Sequence, residues 1–128
     1  MRVRIVTPSG LYRETECSIL NVKTIDGERG LLSNHMPLVT MLEIGKMNFV
    51  TDKGREEFAV AGGMLYFHDN LATLLVDAIE SKEDIDLERA LSSKKRAEER
   101  LAKKDVNTDI RRAELSLKRA INRINVKG

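Results

Sequence analysis

Cysteine, histidine and long apolar runs are all scarce in this chain, and each scarcity removes a class of function. Cys17 is the one cysteine among 128 residues, so neither an intrachain disulfide nor a cysteine-based metal site can form. That usage fits a reducing compartment. No cationic residue adjoins Cys17 in sequence, so it reads as a half-buried strand residue rather than a reactive thiol. The longest apolar run, Leu71 to Ile79, is interrupted by Thr73 and Asp77 and is too short to cross a bilayer. No charged, apolar and small-residue leader precedes it, so no secretory signal is expected. Work at a membrane would depend on other proteins. The two histidines, His35 and His68, fall in unrelated turns. No serine or cysteine stands with a histidine in a recognised motif, and no glycine-rich loop ends in Lys-Ser or Lys-Thr. Neither an active site nor a metal site is expected, and an enzyme is disfavoured. Residues 81–128 contain no Phe, Tyr or Trp, which ranks an RNA- or DNA-binding module low, because such modules interleave aromatic with basic side chains.

Charge is abundant in both signs and unevenly spread. The whole chain carries 22 basic and 20 acidic side chains, a net +2, which predicts no strongly charged partner. Residues 1–80 hold 8 basic and 11 acidic groups, whereas residues 81–128 hold 14 basic and 9 acidic ones. A tail this charged is either mostly solvated or laid against something outside the chain. The length allows one domain, or one small domain with an appendage.

Hydrophobic periodicity divides the chain at the same place. From Val3 to about Val76 short strands are expected: Val3 and Ile5 alternate with arginines, and Leu20, Val22 and Thr24 alternate with Asn21 and Lys23. Pro8-Ser9-Gly10, Asp26-Gly27, Asp52-Lys53-Gly54 and His68-Asp69-Asn70 punctuate them. This spacing predicts an antiparallel sandwich or barrel. Asp52-Lys53-Gly54 should close a hairpin between Met47–Thr51 and Glu56–Ala61. Leu71 to Val76 should be buried on both faces or central in its sheet. Gly62-Gly63 should mark a bulge or a close backbone approach. Gly27 to Leu38, with its glycines, His35 and Pro37, reads as a shaped loop between strands. His35 is expected to bond a backbone group and pack near Pro37, and the loop is a candidate contact surface.

After Ser81 the period becomes helical. Asp86 is placed to cap a helix that runs to about Lys103, with Ile85 and Ala90 as a small staple. Asp105-Val106-Asn107-Thr108 should break it, and Asn107 or Thr108 should cap a second helix. The second helix carries Ile110, Ala113, Leu117, Ala120, Ile121 and Ile124 on one face. The first has a poorer stripe of Leu87, Ala90, Leu91, Lys94, Ala97 and Leu101. Burying a Leu or Ile contributes roughly 1.5–3 kcal/mol and an Ala methyl about a third of that, so few large side chains hold this pair shut. Two readings stay open: a switch able to swing away, and a permanently docked hairpin.

The tail's arginines share helical faces. Arg89 and Arg96 are seven apart and Arg119 and Arg123 four apart. Reflection about a turn near Asp105 and Val106 sets residue 89 level with about residue 122, so Arg89, Arg119 and Arg123 meet at one height. Guanidinium forks suit phosphate oxygens. The bland alternative is a solvated basic face balanced by Glu88, Glu99 and Glu114.

Together the motifs resemble one family, the epsilon subunit of bacterial F-type ATP synthase. The resemblance rests on Gly27-x-x-Gly30 followed by His35-x-Pro37-Leu38, on Val6-Thr7-Pro8, on Ala61-Gly62-Gly63 and on Ile85-Asp86-x-x-Arg89-Ala90, in that family's order. Asn34 stands where the family commonly has glycine, and asparagine also tolerates a left-handed backbone. The resemblance implies an α+β chain: a ten-stranded β-sandwich over residues 1–82 and a two-helix antiparallel hairpin over 83–128. It implies a non-catalytic rotor subunit that couples proton flow to ATP synthesis, peripheral on the cytoplasmic face of the bacterial cell membrane. Its implied partners are the gamma subunit, the c-subunit ring and, when the helices extend to inhibit hydrolysis, the catalytic alpha and beta subunits. Glu28, Arg29, Gly30, His35 and Pro37 match the contact segment. Some members bind ATP as a regulatory ligand, and the matching positions here are Glu80, Ile85, Asp86, Arg89, Ala90, Arg96, Arg119 and Arg123. A stand-alone ATP sensor with no stalk partner is the alternative.

Overall fold

The computed structural model describes residues 1–103 and 106–128. They form two units, Met1–Ser81 and Lys82–Gly128. The first is built of eight strands: β1 (Arg2–Thr7), β2 (Gly10–Glu16), β3 (Ile19–Thr24), β4 (Gly27–Leu32), β5 (Leu38–Thr51), β6 (Gly54–His68), β7 (Leu71–Val76) and β8 (Ile79–Ser81). Their hydrogen-bonded order is β2-β1-β7-β6-β5-β3-β4, with β8 on β6. All pairings are antiparallel except β1 with β7.

Two long strands make this one sheet a sandwich. In β5 the buried residues Thr40 and Leu42 give way to Met47 and Phe49; in β6, Phe58 and Val60 give way to Leu65 and Phe67. Each change spans an odd number of residues, so the strand swaps the side it turns to the core midway. Such a corner carries a strand from one layer into the other. In β6 it falls at Gly62 and Gly63, with φ of 99° and 145°. A Cβ on Gly63 would lie inside contact distance of the Leu75 carbonyl oxygen and 2.8 Å from Val76 Cα, so the expected close approach is present. The ten strands implied by the resemblance are therefore eight here: cutting β5 and β6 at their corners would yield ten. One core of Val3, Ile5, Leu20, Val22, Leu31, Met47, Phe49, Phe58, Leu65, Phe67 and Leu74 fills the space between the layers.

Other expectations are adjusted. Half of the stretch read as a loop, Gly27–Leu32, is an edge strand, because Leu31 lies opposite Leu20 and joins the core; the loop is Ser33–Pro37. Asn34 has φ 66°, the left-handed backbone that asparagine tolerates. Strand β7 is central, between β1 and β6, but Leu75 is exposed, so only one face is buried. Cys17 is buried and follows β2 rather than lying within it. Burial pushes its thiol pKa up, against a smaller opposing pull from the N-terminal ammonium.

The second unit begins with a 3-10 turn, Lys82–Asp84, and continues as α1 (Leu87–Lys103) and α2 (Ile110–Lys127). Asp86 caps α1 as expected, its Oδ1 accepting from the Arg89 N–H at 3.1 Å. The cap of α2 is Asp109, not Asn107 or Thr108: its Oδ1 accepts from the Arg112 N–H at 3.0 Å. The carboxylate adds charge to the same bond at a helix N-terminus. Asp105 of the expected break lies outside the described residues. Lys127 Nζ donates to the carbonyls of Lys82 and Glu83, so the end of α2 lies beside the start of the unit and the helices run antiparallel.

Candidate functional site

The seam between the helices is made of alanine. Ala90 and Ala97 on α1 and Ala113 and Ala120 on α2 are buried, with Ile85 and Val126 beside the free ends. Each alanine pair is seven residues apart, two helical turns, so methyl meets methyl along the contact. The larger residues expected to close the pair stand at the flanks. Leu87, Leu91, Ile110 and Ile121 are exposed, and Leu117, Ile124, Leu101 and Lys94 are half-buried. Alanine faces let two helices approach to about 8 Å, the near limit of helix packing, and larger side chains are then forced sideways. The seam buries less apolar surface than the sequence pattern promised.

The residues that the resemblance implies for ATP divide among these elements. Ile85 and Ala90 are buried in the seam, and Asp86 is the α1 cap. With Lys127 beside Lys82 and Glu83, antiparallel counting sets Arg89 level with about residue 120. Arg89, Arg119 and Arg123 therefore share one height. Arg96 stands two turns further along α1, about 10 Å away at 1.5 Å per residue, with its Nη2 donating to Ser93 Oγ at 3.2 Å. Arg89, Arg96 and Arg119 are exposed and Arg123 is half-buried. Glu80 belongs to the strand unit, on β8 opposite Ala59.

The residues that the resemblance implies for partner contact lie on two elements. Glu28, Arg29 and Gly30 are on the edge strand β4. His35 and Pro37 are in the Ser33–Pro37 loop. His35 Nδ1 lies 2.7 Å from the Met36 carbonyl oxygen, and the ring stands edge-on to Phe67 at 5.8 Å. The backbone bond is as expected, and the packing partner includes a core phenylalanine.

A larger surface emerges only in the folded strand unit. Val39 and Met41 on β5, Met64 and Tyr66 on β6 and Leu75 on β7 are all exposed. Register makes them neighbours: Val39 faces Tyr66, Met41 faces Met64, and Met64 faces Leu75. Their strands alternate, yet the outward positions are apolar too, as Val39 and Met41 in Leu38-Val39-Thr40-Met41-Leu42 show. That loss of polar alternation was the available signal. A contiguous apolar patch of this kind marks a protein interaction surface. Beside it on β1 and β2 the exterior is charged, with Arg2 and Arg4 against Glu14 at 3.7 and 3.5 Å.

Elsewhere, Arg13 grips Glu56 with both guanidinium nitrogens, Nη2 to Oε1 at 2.8 Å, and stacks over Phe49 at 5.2 Å. The bond to Glu56 holds the Arg13 pKa above its ordinary value, against the opposing effect of burial. Among the described residues no group of three or more His, Cys, Asp and Glu side chains could hold a metal ion, and no helix is long and apolar enough to cross a membrane.

Comparison with known proteins matches the two units to two family models. Residues 1–82 match the ATP synthase delta/epsilon chain β-sandwich domain, and residues 83–128 match the delta/epsilon chain long α-helix domain. An ATP synthase epsilon chain from Bacillus velezensis is 44% identical over 128 residues, covering 100% of this chain and 97% of the relative. The epsilon chain from Halalkalibacterium halodurans is 43% identical over 129 residues, again covering 100% and 97%. Among solved structures, a chain of the Euglena gracilis mitochondrial ATP synthase (OSCP/F1/c-ring) superimposes with TM-score 0.79 at 18% identity, covering 91% of this chain and 74% of that one. A chain of the Tetrahymena thermophila mitochondrial ATP synthase central stalk and c-ring gives TM-score 0.67 at 14% identity, covering 100% and 96%.

Proposed function

The chain belongs to the ATP synthase delta/epsilon family, and on that premise we propose that it works as a regulated rotor subunit of an F-type ATP synthase. It is a non-catalytic subunit. Its sandwich docks the gamma subunit through the β5-β6-β7 apolar face and meets the c-subunit ring through the β4 edge and the Ser33–Pro37 loop. Through these contacts it takes part in coupling proton flow to ATP synthesis. It is held at the cytoplasmic face of the membrane by the complex. Its helices close as a hairpin or extend towards the alpha and beta subunits and inhibit hydrolysis. ATP, bridging Arg89, Arg119 and Arg123, favours the closed form.

The observation that carries the regulatory part is the alanine seam. Four buried methyls supply only about 0.8 kcal/mol each, and Ile85 and Val126 are the only large side chains buried with them among the described residues, so a neighbouring protein or a nucleotide can supply the differential affinity that tips the pair.

Mixing the chain with gamma and the alpha-beta hexamer tests the reading. Co-elution is expected, with hydrolysis that rises when residues 86–128 are removed. Met64→Lys should abolish gamma binding without lowering the melting temperature, because Met64 is exposed. A chain that binds ATP yet ignores gamma is instead a stand-alone sensor. For the nucleotide, ATP titration should show Arg89→Ala weakened at least tenfold; equally weak binding in both proteins removes the arginine site.

A further inference from the structure

We propose that the sandwich carries a second anion site, for a phosphoryl group, on its β3-β4-β5-β6 layer and built of residues other than the helices' arginines. A cleft of about 360 Å³ opens there. Arg29 from β4, Lys46 from β5 and Arg55 from β6 all line it. Among the described residues none of these three cations makes an ion pair or a side-chain hydrogen bond. The contrast within the strand unit is sharp. It holds five arginines, of which Arg2, Arg4 and Arg13 are matched to Glu14 or Glu56. The two unmatched ones both face this cleft.

The rest of the cleft is polar and built. Asn21 and Asn48 lie opposite each other on β3 and β5, and Asn21 Nδ2 donates to Asn48 Oδ1 at 2.8 Å. That bond fixes both amides and leaves the Asn48 amino group free to donate. Gly30 lies opposite Asn21 on the other side, and a Cβ there would stand 3.0 Å from Asn21 Oδ1. The missing side chain keeps the floor open. Glu28 also lines the cleft, so three cations against one carboxylate leave an excess of two positive charges, which matches a phosphate dianion. Two guanidinium forks suit tetrahedral phosphoryl oxygens better than a lone carboxylate. The volume exceeds that of a bare ion and fits a small phosphate ester, either free in solution or presented as a lipid headgroup. The site shares β4 with the proposed c-ring contact but uses none of the β5-β6-β7 apolar face, so gamma binding and anion binding can fail separately.

The test titrates inorganic phosphate into the ¹⁵N-labelled full chain at constant ionic strength, with sodium chloride as the matched control. Saturable shifts are expected at the Gly30 amide and the Asn21 and Asn48 side-chain amides. Arg55→Gln and Lys46→Gln should each weaken binding about tenfold. Gly30→Ala should also weaken it with charge unchanged, and its backbone is outside the left-handed region. Arg89→Ala should titrate like wild type here. A parallel arm sediments the chain with phosphatidylcholine vesicles, with and without phosphatidylglycerol. Phosphate shifts without sedimentation assign a soluble ester. Phosphatidylglycerol-dependent sedimentation that Arg55→Gln abolishes assigns a headgroup. Equal shifts with chloride, wild-type titration by Arg55→Gln and Gly30→Ala, or no response in either arm overturns the proposal.

Discussion

Replacing Ala120 by leucine is the sharpest test of the hairpin, because it alters the seam while sparing the helix. Ala120 is wholly buried, and with Ala90, Ala97 and Ala113 it lets α1 and α2 approach closely. Leucine adds three carbons where a methyl fills the space. Its helix propensity differs from that of alanine by only a few tenths of a kcal/mol, so α2 should remain helical by circular dichroism. Overpacking of a filled contact costs about 1–3 kcal/mol. At RT of about 0.59 kcal/mol that raises the open population roughly 5- to 150-fold. Native-state hydrogen exchange reads it directly: amides of α1, the unmutated helix, should exchange faster by that factor, and those of β5 and β6 should not change. Lys118→Leu, on the exposed face of α2, should leave α1 untouched. Unchanged or greater α1 protection in Ala120→Leu would refute the close alanine contact. Wild-type helices as slow to exchange as the strand core would refute the weak closure itself.

Two further tests address the sandwich. Gly63→Ala should destabilise the strand unit by at least about 3 kcal/mol, since it combines a left-handed backbone with a clash against Leu75 and Val76 main chain; a melting curve unchanged from wild type would contradict the corner geometry. Cys17 supplies a pH test. Its pKa is raised by burial from an ordinary 9.0, so above about 9 the unfolded chain loses the thiol proton first. Stability should be flat in this term below that value and fall as pH rises beyond it, a slope that Cys17→Ala removes in urea titrations.

The sequence displayed whatever depends on neighbours in the chain. Leu20, Val22 and Thr24 were legible as one buried face, Asp52-Lys53-Gly54 as a hairpin turn, and Asp86 as a cap, because period and turn chemistry are local. Asn107, Thr108 and Asp109 are all competent caps, and only the true start of α2 chooses Asp109 among them. The alanine seam was half legible. The stripes are visible, and periodicity places the leucines and isoleucines in the contact, but only interhelix distance expels them to the flanks. The β5-β6-β7 apolar face and the two unmatched arginines of the cleft were hidden for another reason. Both depend on cross-strand register, which pairs residues far apart in the chain.

The corners in β5 and β6 set a rule for length. Side chains on each strand are phased in one frame before the bend and in the opposite frame after it, and Leu42 and Gly63 keep the two bends opposite each other. Deleting a single residue between Val60 and Leu65 would restore one frame throughout β6. Leu65 and Phe67 would then turn towards water and Met64 and Tyr66 inward, everting half a layer without changing a single residue type within it. Substitutions on these strands are graded in cost, whereas indels at the bend act as all-or-none lesions.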